Sequence, residues 1–351
     1  MAAGIVYTPI FLEHVADGYH PERPERLEAV LGGLDRAGVL RGSLRIEPRP
    51  ATLEELSRVH DPRYVERTLR ELGADSWGCL DSDTFYSPGS REAALRAAGG
   101  GVDLVHAVHD RRVDWGWSIA RPPGHHAGTR SAAGFCIFNN IAVAAASLLA
   151  SGAARRVAIF DWDVHHGNGT QEQFWNAPDV LFASIHQWPH YPGSGLVHEI
   201  GGPDAPGRIV NFPFPAGCGD ADYLSVIDLA FAPLLRSFEP DHILVSTGFD
   251  AHERDPLGSM RLTASGFAAM GARLQALARE LCGGRLTLFL EGGYDLQALG
   301  DSAEAVSHAL EGGSCVATSQ IRDRRAAAVV EETLRAVRPH WPGSALEIGG
   351  A

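Results

Sequence analysis

Four short stretches of this 351-residue chain hold side chains that could do chemistry together. The richest is Asp161-Trp162-Asp163-Val164-His165-His166-Gly167-Asn168-Gly169. It follows Val157-Ala158-Ile159-Phe160, an apolar β-prone run that predicts a buried strand. Asp163 and His165 are two apart, so in extended chain they leave on the same side. One oxygen and one nitrogen donor converging in this way can hold a divalent metal. A second apolar run, Ile243-Leu244-Val245, leads through Ser246-Thr247-Gly248-Phe249 to Asp250, a third donor. Three protein ligands leave a tetrahedral metal one open position, which marks a catalytic site.

Two further stretches supply proton-transfer groups. Arg121-Pro122-Pro123-Gly124-His125-His126 sets two adjacent histidines in a Pro/Gly turn after Trp115-Gly116-Trp117-Ser118. Glu291-Gly292-Gly293-Tyr294 sets a phenol behind two glycines after Leu286-Thr287-Leu288-Phe289-Leu290. The chemistry is that of a metal hydrolase. A bound dication polarises a carbonyl and makes water more acidic. An imidazole takes the proton of water and later gives one to the leaving group. A phenol donates to the oxyanion of the tetrahedral intermediate. Singly, each stretch has a structural reading: a strand-end Asp is an ordinary helix cap, and a buried His pair an ordinary core feature. The set together does not.

The motifs resemble the zinc-dependent histone deacetylase family, including the bacterial acetylpolyamine amidohydrolases. The matching text is Arg-Pro-Pro-Gly-His-His-Ala at 121–127, Gly-Phe-Cys-Ile-Phe-Asn-Asn at 134–140, Asp-Trp-Asp-Val-His-His-Gly-Asn-Gly-Thr at 161–170, Ser-Thr-Gly-Phe-Asp-Ala-His at 246–252 and Glu-Gly-Gly-Tyr at 291–294. The likeness extends over roughly residues 5–340. Asn168, where another branch has Asp, and the Trp162 context are similar to the class II branch. The resemblance implies that Asp163, His165 and Asp250 bind Zn²⁺, with Fe²⁺ a competitor for so carboxylate-rich a set. It implies that His126 is general base and acid, His125 its electrostatic partner, that Asp161 holds His125 and Asn168 holds His126, and that Tyr294 donates to the oxyanion. A structural K⁺ would sit on Asp161, Asp163, His165 and Ser184. Gly134, Phe135 and Tyr191 would line an acyl-lysine tunnel, with Asp83 gripping substrate at its rim and Arg26 guarding an acetate exit. A neutral Asn168 would leave His126 with a lowered pKa, suited to a base near neutrality. Leu257 stands where a polyamine-selective relative carries a glutamate gatekeeper.

The expected activity is removal of an acetyl or acyl group from a lysine side chain or similar alkylamine. The alternative is an acetylpolyamine amidohydrolase acting on small acetylated polyamines. Two readings from other classes are a non-catalytic acyl-amine binding module, which loss of Tyr294 or His126 would have favoured, and a binuclear arginase-like hydrolase, which would need more ligands.

Positioning these groups requires an α/β fold. Apolar β-like runs near 4–8, 45–48, 115–120, 156–161, 180–186, 208–212, 242–247 and 286–290 alternate with helical patterns at 139–151, 220–238, 263–281 and 295–311. Alternating β and α predicts a three-layer α/β/α arrangement around a central, mostly parallel eight-stranded sheet, which the resemblance also implies. Because the motifs must meet, residues 1–341 are read as one catalytic domain, with 342–351 as a tail. Five scattered cysteines and no Cys-x-x-Cys suggest a reducing, cytoplasmic compartment. Cys136 within the tunnel motif reads as a small buried thiol. No stretch reaches membrane-spanning length and no signal peptide is indicated. A net charge of −13 argues against nucleic acid and favours a cationic partner. All 30 basic residues are arginine, which a GC-rich genome explains. A homo-oligomer is left open.

Overall fold

The structure is a computed structural model and describes residues 2–73, 77–313 and 321–342. Eight strands form one sheet: β1 (Ala3–Val6), β2 (Leu44–Ile46), β5 (Trp115–Ser118), β6 (Val157–Asp161), β7 (Val180–Gln187), β8 (Ile209–Phe214), β9 (His242–Thr247) and β10 (Leu286–Leu290). The intervening β3 (Gly78–Cys79) and β4 (Phe85–Tyr86) form a separate antiparallel pair. The helices are α1 (Glu25–Arg36), α2 (Leu53–Ser57), α3 (Pro62–Glu71), α4 (Ser90–His109), α5 (Asn140–Ala150), α6 (Asn168–Gln173), α7 (Asp220–Val226), α8 (Ala232–Phe238), α9 (Ala264–Cys282), α10 (Leu296–Leu310) and α11 (Arg324–Val337).

All strand pairs of the large sheet are parallel, where the sequence predicts mostly parallel, and the order is β2-β1-β5-β10-β9-β6-β7-β8. Parallel strands need crossovers, and helices supply them on both faces. Ala158 and Phe160 of β6 join the core under α1, α9 and α10. Val157 and Ile159 join the core under α3 and α5. The alternation follows the two-residue period of a strand.

Local chemistry explains the element ends. Asn139 accepts from the Ala142 N–H, Thr263 from Gly266 and Asp295 from Ala298, each satisfying an orphan donor in the first helical turn. Gly283 closes α9 in the left-handed conformation. The single helix expected at 220–238 is interrupted: Ile227–Phe231 is a π-helical segment between α7 and α8. Ala232 donates five residues back to Ile227, immediately before Pro233, which has no N–H to continue the ladder. The β3–β4 pair was not expected, because two-residue strands carry no readable periodicity. Of the tail expected at 342–351, only Pro342 lies within the described residues. Among the described residues, no helix is long and apolar enough to cross a membrane, and Cys79, Cys136, Cys218 and Cys282 are free thiols.

Candidate metal centre and active site

The four motif-bearing strands are consecutive in the sheet: β5, β10, β9, β6. Their C-terminal ends therefore deliver all four motifs to one place. From β6 the chain crosses toward β7, while from β9 it crosses the other way toward β10. Loops diverge at that point and open a crevice, the position where parallel sheets bind ligands.

Asp163, His165 and Asp250 stand in this crevice with one ligand atom each, all within 4.8 Å of one another. His165 Nδ1 lies 3.1 Å from Asp163 Oδ1 and 3.1 Å from Asp250 Oδ2. The two carboxylates are fully buried. Burial first and the Asp163 charge second push Asp250 up to about 7. Burial works against protonation of His165, but hydrogen bonds to Asp163 and Asp250 push it up to about 10. Two anions and an imidazole crowded out of water make a donor set that a dication fits. The surrounding backbone is shaped around these carboxylates. A Cβ on Gly248 would strike the Asp163 carboxylate, and one on Gly292 would strike that of Asp250. Asp163 also accepts from the Gly292 N–H at 2.8 Å, and Asp250 from the Val164 N–H at 2.8 Å.

The histidine pair lies beside this set. The rings of His125 and His126 are 4.0 Å apart, and that of His126 is 5.8 Å from His165. His125 Nδ1 lies 3.0 Å from Asp161 Oδ2, and His126 Nδ1 lies 2.7 Å from Asn168 Oδ1. Two adjacent imidazoles are thereby driven apart. Burial opposes the charge on His125, but Asp161, Asp163 and Glu291 push its pKa up to about 10. Burial, then the charges of His125 and His165, hold His126 well below its usual value, against a weaker opposite pull from Asn168. The lowered His126 pKa expected from the sequence is there, with burial rather than a neutral neighbour as its first cause.

Tyr294 is nearly buried, and burial holds its phenol well above the usual value, so it keeps its proton. Asp255 fixes its backbone, accepting from Tyr294 N at 2.6 Å. Arg26 is fully buried, 4.9 Å from the Tyr294 ring centre. It donates to the Gly293 carbonyl at 2.7 Å and to that of Glu291, and pairs with Glu22 at 2.9 Å. Its guanidinium clamps the loop that carries Tyr294.

The residues expected to line a tunnel gather around these groups. Gly134 (φ +52°) approaches the His126 ring so closely that a Cβ there would collide with it. Phe135 also has positive φ, +69°, a conformation costly for a bulky residue. Its ring is 6.0 Å from Tyr294. Tyr191 stands 5.1 Å from His126 and 6.1 Å from His165. Asp83 is half-buried; burial and the neighbouring Asp81 raise its pKa. Ser184 pairs in register with Asp161 across β6 and β7, and its hydroxyl is 3.0 Å from His186 Nδ1. Leu257 is half-buried, and its carbonyl lies 2.9 Å from His190 Nε2.

Three contributors were missed in the sequence. His190 stacks on His165 with ring centres 4.9 Å apart. Glu291 accepts from the N–H groups of Gly124 and His125 at 2.7 and 3.1 Å, fixing the histidine turn, and burial pushes its pKa up to about 7. Asp255 is the third. Glu291 lay inside motif text and Asp255 three residues beyond it; nothing flagged His190.

Residues 20–310 match the family of the histone deacetylase domain. The chain belongs to the histone deacetylase family. It is 42% identical over 299 residues to a "Probable deacetylase" of Archaeoglobus fulgidus, covering 85% of this chain and 82% of that protein. It is 42% identical over 300 residues to Histone deacetylase 15 of Arabidopsis thaliana, covering 84% of this chain but 53% of the relative, so it spans about half of that protein. A solved structure, "Crystal Structure of HDA15 HD domain", superposes with a TM-score of 0.90 at 38% identity, covering 97% of this chain and 96% of that one. The arginase/deacetylase fold expected from the motifs is therefore the fold found. The chain is a deacetylase of a family that is in general zinc-dependent.

Proposed function

We propose that this deacetylase hydrolyses the amide of an acylated lysine side chain or similar alkylamine. The convergence of Asp163, His165 and Asp250 within 4.8 Å, flanked by a neutral imidazole and a protonated phenol, supports this reading most strongly. Zinc held by these three residues would supply carbonyl polarisation and a more acidic water; Fe²⁺ is the competing occupant of so oxygen-rich a set.

The remaining steps fall to the chain's own groups. Asn168 Oδ1 can only accept, so the Nδ1 of His126 carries its proton and Nε2 is left with a lone pair. His126 takes a proton from water at Nε2 and later returns one to the departing amine. His125, held by Asp161, keeps positive charge beside it and lowers its basicity. Tyr294 donates from its phenol to the carbonyl oxygen as negative charge develops there. Phe135 and Tyr191 form apolar walls suited to a methylene chain. Asp83 at the rim accepts from a peptide N–H. Asp161 and Ser184, opposed in register, mark the ends of a K⁺ site completed by Asp163 and His165. Residues 1–341 would form one catalytic domain.

With Leu257 near the site in place of a carboxylate, we favour acyl-lysine over strict polyamine selectivity. The test is a panel of kcat/KM values for an acetyl-lysine peptide, a longer acyl-lysine, acetylputrescine and acetylspermidine. A preference for the acetylpolyamines above about tenfold, roughly 1.4 kcal/mol in transition-state binding, overturns this reading.

A further inference from the structure

We propose that a cavity beside Asp83 receives the guanidinium of an arginine flanking the acylated lysine of a peptide. The proposal rests on the acyl-lysine reading above. The cavity measures about 530 Å³ and is walled by Asp17, Tyr19, Trp77, Asp83, Phe85 and Tyr86. It adjoins the tunnel through a single ring. His20, which also lines it, packs 4.6 Å from Phe85 and 4.7 Å from Phe135, the tunnel wall. A neighbouring residue of a bound peptide, one Cα step of about 3.8 Å away, can therefore reach it with a long side chain.

The walls are unusual for a surface left to water. The described residues include six exposed large apolar side chains, and two of them, Tyr19 (86% exposed) and Trp77 (51%), line this cavity. Apolar exposure concentrated at one place marks a contact surface. Here the aromatic faces are combined with two carboxylates. Asp81 stands behind them, spending one oxygen on the N–H groups of Asp83 and Thr84. Among the described residues lining the cavity there is no arginine, and His20, the one other basic group, has its pKa lowered by burial. The cavity lining is thus acidic and aromatic, and the Arg23 guanidinium stands beside it without being part of it.

Aromatic faces with carboxylates at their edge recognise cations, and Trp is the strongest such face. A planar guanidinium can stack on a ring and donate a two-pronged fork to a carboxylate at once, which a compact ammonium cannot do. Tyr19 already carries one guanidinium, that of Arg23, 5.9 Å from its ring centre. The chain's net charge of −13 favours basic peptides in general.

The test compares acetyl-lysine peptides carrying Arg or its neutral isostere citrulline beside the acylated residue. Two readouts are taken: kcat/KM with the native enzyme, and Kd with the Tyr294→Phe protein, which does not depend on turnover. Arg should be preferred by about fivefold to tenfold, the scale of a partly desolvated cation–π contact. The ratio should fall toward one in Trp77→Ala and in Asp17→Asn; the second variant lies in an exposed loop and guards against misfolding of the first. A ratio of one by both readouts, with Trp77 and Asp17 intact, overturns the subsite. So does a ratio that survives both substitutions, or a Trp77 effect confined to acetylspermidine. If neither peptide is turned over while the Kd ratio holds and collapses on substitution, the subsite stands and the acyl-lysine reading fails.

Discussion

Asn168→Asp replaces a dipole by a full negative charge at the back of the proposed base. In the native protein His126 Nδ1 is 2.7 Å from Asn168 Oδ1, and burial with the charges of His125 and His165 keeps its pKa well below 6.5. A group whose pKa is depressed is neutral above that value, so the native base stays competent as pH falls past the usual histidine range. The new carboxylate favours the imidazolium. With charge centres about 4 Å apart and an effective dielectric near 20, the attraction is about 4 kcal/mol, or about 3 pH units at most. Asn168 is half-buried and lines an outer cavity of about 680 Å³, so solvent screens the charge and a rise of about 1–3 units is expected. A protonated His126 cannot accept from water. The acid limb of kcat/KM should therefore move upward by that amount, with about tenfold lost per unit at pH values below the new limb and recovery above it. The assay is kcat/KM from about pH 5 to about pH 9 with metal content measured at each pH. An acid limb left in its native place, in a folded protein with metal retained, would show that His126 is not the group that limits the reaction.

Three further outcomes follow from the same geometry. Asp250→Ala should lose both bound metal and activity, since two ligands cannot hold the ion that three do; stoichiometric zinc and full turnover in the purified variant would remove Asp250 from the ligand set. Tyr294→Phe should keep fold and metal but lose about 10²–10³ in kcat, the usual scale for one oxyanion donor; an unchanged kcat would make the ring a wall only. A crystal structure from potassium-containing buffer should show a monovalent cation on Asp161, Asp163, His165 and Ser184, neutralising part of the carboxylate charge; an ordered water there instead refutes the site.

Much of this arrangement is legible in the sequence, for a physical reason. Fully buried parallel strands read as nearly continuous apolar runs, which holds for seven of the eight but not for the exposed edge strand β2, and the polar residues ending the motif-bearing runs stood out against them. Asp161 after Val157–Phe160 and Asp250 after Ile243–Thr247 are such contrasts. Strand order left no such mark. Pairing between β9 and β6 joins residues over eighty positions apart, as Asp161 with Ser246, and no local pattern encodes it. The same holds for His190. It sits in a loop between β7 and β8, and only the chain's return path brings it onto His165. The π-helical segment was hidden because Pro233 lies inside an otherwise regular helical pattern.

Strand order, the part the sequence hides, is also what turns separate motifs into one site. Were β10 and β9 not between β5 and β6, Glu291 could not accept from Gly124 and His125 while the next N–H, that of Gly292, bonds to Asp163. That dipeptide ties the histidine turn to the loop of the proposed metal ligand Asp163 through backbone donors. Arg26 then grips the carbonyls of Glu291 and Gly293 from the opposite side. Proposed base, ligand and phenol are thus referred to one short loop, whose Gly292 leaves room for both carboxylates. A substitution in Glu291-Gly292-Gly293 should therefore disturb proton transfer and metal binding together, though none of the three side chains is a metal ligand.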